Sequence, residues 1–209
     1  MAIPFRFDAS SHEYIALDTG DVLPHITGML ASAGLVHDQF YTAQSAERGH
    51  QVHRLTADYD LGVFGPSIDH VRHVYKNYLH AHVAAMEVLR PVFSCIEEPR
   101  VHSRYRYGGR LDRDGLVYGA VSVIEIKSGP PEPAHMVQTA LQAILLVDDG
   151  VLPAASIERY CIYLKPNGKF AIEHHVKRTD FDRAYAIIQR FATGRSEERR
   201  VGKECLRLC

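Results

Sequence analysis

Asp112, Glu125 and Lys127 are the residues in this sequence whose types and spacing best suit chemistry on a phosphate. Glu125 and Lys127 end the apolar run VSVIEIK, and in a strand their spacing of two puts both on one side while Ile126 points into the opposite layer. Asp112 lies on the preceding run, before the turn signal Asp114-Gly115, so an antiparallel return can bring it beside Glu125. Two carboxylates brought together repel each other unless a cation sits between them. Mg2+ or Mn2+ suits such a pair, because these ions are held by one or two carboxylates while keeping waters for phosphate chemistry. A neighbouring lysine can then orient or deprotonate a water and stabilise the charge developing on the phosphate. Phosphodiester hydrolysis needs these parts. Charged residues on strands are usually just solvated, but two of them ending a buried-looking strand break the local pattern, as functional residues do.

The surrounding elements must deliver those three side chains. The alternation FRFDASSHEYIAL and the turn at 18–21 predict a small hairpin, with a helix entered just after Pro24. Residues 41–58 read as a helix with Gly49 in its middle, a placement that costs about 1 kcal/mol and calls for close packing or close approach of another group. The strongest helical periodicity spans 67–90, with Ser67 as N-cap and Pro91 as the stop. Strands then run from 96 to 127, turning at Asp114-Gly115, and a helix over 133–149 stops at Gly150. Two further strands flank KPNGK, and a last helix opens at Thr179. The expected fold is α/β, a central mixed sheet flanked by helices.

The run PRVHSRYRYGGR adds a local basic stripe, with Arg100, His102, Arg104 and Arg106 on one strand face and Val101, Tyr105 and Tyr107 on the other. Together with Arg110, these arginines are the candidate DNA contacts at Arg100, Arg104, Arg106 and Arg110; the alternative is an exposed face paired with acidic neighbours. A local patch is needed because the net charge of −1 over 209 residues gives no global attraction for nucleic acid.

With 46% hydrophobic and 23% charged residues, one globular domain is expected. There is no run of about 18 apolar residues and no apolar signal segment, so a cytoplasmic location without membrane attachment is expected. Cys95, Cys161, Cys205 and Cys209 lack CxxC spacing, which argues against a disulfide framework or a zinc site and makes Cys95 and Cys161 buried thiols. The thirteen histidines, including the pairs His50/His53, His70/His73 and His80/His82, likewise lack cysteine partners or an HExxH context. RSEERRVGKEC, from 195 to 205, resembles a translated sequencing adapter. Residues 1–194 are therefore expected to form the domain and 195–209 a disordered, non-native tail, and without that tail the net charge moves from −1 to −3.

GGRLDRDG and VIEIKSG, followed by a helix bearing Gln138 and preceded by ERGHQVH with Arg48, Gly49 and His53, resemble the PD-(D/E)XK nuclease superfamily in its RecB-like and phage-exonuclease-like branch. The resemblance covers roughly residues 20 to 165 and implies a restriction-endonuclease-like core. It further implies that Asp112, Glu125, His53 and the main-chain carbonyl of Ile126 hold the metal, that Lys127 positions the attacking water, and that Gln138 steadies that lysine or the phosphate. The branch often has Tyr where this chain has Gln142, which puts the second polar contact from that helix in doubt. The branch's four-cysteine cluster has no counterpart here. The implied activity is Mg2+-dependent DNA hydrolysis, with exonuclease action in phage or bacterial recombination or repair, possible partner proteins of those processes, and an oligomeric state that the sequence leaves open. The rival readings are a catalytically silent nucleic-acid-binding module of the same fold and a metal-dependent hydrolase of small phosphate esters. Loss of one of the three central residues would mark the first, and an enclosed pocket in place of an open basic groove the second.

Overall fold

The computed structural model describes residues 3–36, 42–65, 67–148, 150 and 152–205, with side chains as far as residue 192. Three short antiparallel strands come first: β1 (Phe5–Asp8), β2 (Glu13–Ala16) and β3 (Val22–Leu23). Helices α1 (Ile26–Ser32), α2 (Ala43–Asp60) and α3 (Lys76–Leu89) follow. The main sheet is built from β4 (Val92–His102), β5 (Tyr107–Val117), β6 (Ala120–Lys127), β7 (Glu158–Leu164) and β8 (Phe170–His174) in that spatial order, with α4 (Pro133–Leu146) between β6 and β7 and α5 (Thr179–Cys205) at the end. All neighbours pair antiparallel except β6 and β7, which are parallel and therefore need the crossover that α4 supplies. This is the expected mixed central sheet flanked by helices. No described helix is long and apolar enough to cross a membrane.

Each face of the sheet is sealed by its own core. Val123 of β6 and Leu111 of β5 pack with Ile26, Met29, Val137, Leu141, Ile144 and Ile188, under α1, α4 and α5. Ile124 and Ile126 pack with Val52, Tyr78, Ala81, Ala85 and Leu89, under α2 and α3. Strand alternation thus sends Val123, Glu125 and Lys127 toward α4, while Ile124 and Ile126 anchor β6 from behind.

Several local expectations need correction. The helix expected from Ser67 begins only at Lys76: Ser67 caps a turn at Asp69 instead, and His73 Nδ1 accepts from the Tyr75 N–H, so side chains satisfy backbone groups that a helix would have used. The β5–β6 turn lies at Tyr118 and Gly119, both left-handed with φ 50° and 83°, in place of Asp114-Gly115. Gly115 sits inside β5, where a Cβ would come within 2.1 Å of the Val92 carbonyl oxygen. The basic stripe does not persist as a strand face, because β4 ends at His102 and residues 103–106 form the connection to β5. Cys161 is buried as expected, but Cys95 is only half-buried. Helix α5 continues to Cys205; 206–209 lie outside the described residues.

The N-terminal sheet docks onto β5 through Gly108, where a Cβ would lie 2.3 Å from the Tyr14 ring. Gly108→Ala should therefore displace Tyr14 and cost about 1–3 kcal/mol. The expected result is a lower urea midpoint, and an unchanged midpoint would show that this contact does not hold the sheet in place.

Candidate active site

Glu125 and Lys127 reach the α4 face together. Lys127 Nζ donates to Glu125 Oε1 at 2.5 Å and to Gln138 Oε1 at 3.0 Å. The amides of α4 close around the same carboxylate: Gln138 Nε2 donates to Oε1 at 2.6 Å and Gln142 Nε2 to Oε2 at 2.5 Å. One helical turn separates the two glutamines, so α4 presents both to one target. Gln142 therefore does supply a second polar contact from this helix, with an amide where the resembling family often uses a phenol.

Asp112 lies just past the β5–β6 pairing of Arg113 with Ile124, and it captures the strand neighbour's backbone: the Ile126 N–H donates to Asp112 Oδ2 at 2.8 Å. It is thus the N–H of Ile126 that meets Asp112 here. Asp112 Oδ1 lies 3.3 Å from His53 Nδ1 on α2, and the same nitrogen is 3.3 Å from Glu97 Oε1 on β4. One oxygen of each carboxylate and the histidine nitrogen lie within 4.8 Å of one another, close enough to hold one cation. An imidazole nitrogen with carboxylate oxygens suits Mn2+ as well as Mg2+.

Glu97 was not among the residues singled out in the sequence. Its placement follows from a break in the pleat: Leu111 faces the α4 core, yet Arg113, two residues on, reaches Thr56 and Asp60 on the other side, so β5 changes faces across Asp112. Opposite, Glu97 adopts a left-handed φ of 54°. Strict alternation cannot foresee such a step. The visible signal was the doublet Glu97-Glu98 in an otherwise strand-like run.

The charges are tightly coupled. Burial works against a charged His53, but Asp112 and Glu97 outweigh it and push the ring up to about 10. Glu97 is buried as well, yet His53, Arg113 and Arg110 hold its carboxyl below the usual range. Burial opposes the Lys127 ammonium too, and Glu125 and Asp112 overcome it, raising its pKa above the ordinary lysine value. Lys127 is consequently a hydrogen-bond donor and a fixed positive charge. His135, at the start of α4, is driven the other way to about 4 by burial and by the Lys127 charge.

These groups open into a cleft of about 1360 Å³ between α2, the N-terminal sheet and the loop after β6. Of the four arginines proposed to contact DNA, Arg110 lines this cleft and pairs with Glu97 at 3.2 Å. The others lie elsewhere: Arg100 binds Asp114 at 2.8 Å, Arg104 lies over the Tyr105 ring, and Arg106 binds Asp18 at 2.9 Å. Arg48 and Arg54 of α2 line it as well. Gly49 also faces the cleft, and a Cβ there would meet nothing within 4 Å. Helix packing therefore does not require this glycine. Gly49→Ala should stabilise the fold by up to about 1 kcal/mol; an unchanged or lower thermal midpoint would overturn that.

Against known proteins, the chain matches no family model and no curated protein. Among solved structures it is similar to an alkaline exonuclease from Laribacter hongkongensis, with 12% identity and a TM-score of 0.45 over 76% of this chain and 93% of that one. The structure of the same exonuclease in complex with dAMP gives 11% identity and a TM-score of 0.47 over 90% and 95%. What this chain does is therefore read from its own side chains.

Proposed function

We propose that this protein is a DNA nuclease dependent on Mg2+ or Mn2+, acting as an exonuclease in phage or bacterial recombination or repair. The observation that carries the reading is the convergence in one open cleft of His53, Glu97 and Asp112 with the Lys127–Glu125 pair. A divalent cation held there would neutralise the carboxylates, polarise a phosphoryl oxygen and make water a better nucleophile. Lys127 directs its ammonium at the space beside Glu125 and stabilises negative charge developing on the phosphate. Gln138 and Gln142 fix Glu125, so that Lys127 is held in one orientation. Arg48, Arg54 and Arg110 offer phosphate contacts along the cleft. Cleavage would leave 5′-phosphate and 3′-hydroxyl ends.

A hydrolase of small phosphate esters fits less well, because the cleft exceeds the roughly 300–1000 Å³ of typical small-ligand sites. A silent DNA-binding module is disfavoured by the presence together of Asp112, Glu125 and Lys127. The test is incubation with linear and with circular DNA in Mg2+, Mn2+ or EDTA. Degradation of linear DNA with metal alone supports the proposal. No degradation by the folded protein with either metal, or equal degradation in EDTA, overturns it, and cutting of circular DNA would make the enzyme an endonuclease.

A further inference from the structure

Arg113 is fully buried, and a guanidinium is costly to bury unless each of its donors is met. Here each of its three nitrogens has a partner, through four hydrogen bonds. Nε donates to Asp60 Oδ2 at 2.7 Å, NH2 to Thr56 Oγ1 at 3.3 Å, and NH1 to both the Asp112 carbonyl at 2.6 Å and Glu97 Oε1 at 3.3 Å. Asp60 is itself clamped: His82, also fully buried and kept neutral by that burial, donates Nε2–H to its carboxylate at 2.9 Å. Thr56 donates in turn to the His53 carbonyl at 3.0 Å. Arg113, with Asp60 and His82, therefore ties α2, α3, β4 and β5 together behind the three candidate metal donors.

From this we infer that Arg113 is a positioning residue: braced by Asp60 and His82, it aims Glu97 at His53 and Asp112. The inference rests on the metal centre proposed above. Glu97 needs such a brace because its backbone is left-handed, so the pleat alone does not direct its side chain. A fork that spans two carboxylates is a task for arginine, since lysine offers a single point of charge.

The test is Mn2+ binding by titration calorimetry, with no DNA present. Asp60→Asn combined with Arg113→Met removes the buried pair together and leaves no lone charge. The expected result is a folded protein, by circular dichroism and thermal midpoint, whose Mn2+ dissociation constant rises about 10–100-fold. In a Glu97→Gln background the same change should add less than about 3-fold, because the brace acts through Glu97. Should the double variant not fold, Arg113→Lys keeps the buried charge and is read in the same way. Unchanged Mn2+ affinity in a folded variant, or an equal loss with and without Glu97, overturns the assignment. Absence of Mn2+ binding by the wild type overturns this inference and the proposed metal centre together.

Discussion

Lys127→Met should lower the rate of DNA cleavage at saturating metal by about 10²–10³-fold, while metal affinity stays within a few-fold of wild type. The separation follows from the geometry. Lys127 lies against Glu125 and Gln138, whereas the donors that converge for a cation are His53, Glu97 and Asp112. The fold should survive, because Glu125 keeps the amides of Gln138 and Gln142, and methionine replaces the lysine stem with little change of volume. Asp112→Asn is the contrasting variant. It keeps the shape but removes one of the two carboxylates on His53, so both the metal dissociation constant and the rate should suffer. Single-turnover cleavage across a metal titration reads both quantities. A Lys127→Met protein that cuts at the wild-type rate would remove the lysine from the mechanism, and an Asp112→Asn protein with undiminished metal affinity would remove the aspartate from the metal centre.

Metal affinity should climb steeply with pH. His53 has an ordinary pKa of 6.5, and in the folded chain its carboxylate neighbours push it up to about 10 against the effect of burial. A pKa raised by folding stabilises the native state fully below 6.5, and that contribution is lost as pH rises toward about 10. A cation takes the neutral ring, so it must displace this proton; below the raised pKa each unit of pH increases the apparent affinity by up to about tenfold. Between pH 7 and 9 the Mn2+ dissociation constant should thus fall by up to about 10²-fold, with close to one proton released per ion. The metal-free protein should melt at lower temperature over the same range. In His53→Asn both trends should flatten. Equal Mn2+ affinity at pH 7 and 9 in the wild type would show that His53 is not a ligand.

The sequence made the central strand readable because a rule was broken there. Glu125 and Lys127 end a strand whose other residues are apolar, and their shared face follows from alternation alone. Gln138 was legible only through the family resemblance, and Gln142 only as a departure from that family's pattern. Glu97 was not legible, since its position depends on a left-handed residue and on the face change across Asp112. Arg113 reads as a solvated strand charge until Asp60 and His82, 53 and 31 residues upstream, are seen to surround it. The pairing of Arg100 and Arg106 was not legible for the converse reason. Their partners, Asp114 and Asp18, are acidic residues brought to them by strand pairing and by the docking of the N-terminal sheet. Helix α3 starts late because backbone hydrogen bonds to the Ser67 and His73 side chains compete with the periodic apolar pattern.

The parallel pairing of β6 with β7 sets when this cleft is finished. Glu125 and Lys127 are translated well before Leu164, yet the far edge of their strand is covered only once the chain has passed through α4 and returned as β7. Pairings across such an interval form late, because loop closure precedes any gain from the contact. A chain emerging from the ribosome would carry every proposed metal ligand while β6 still lacked its partner.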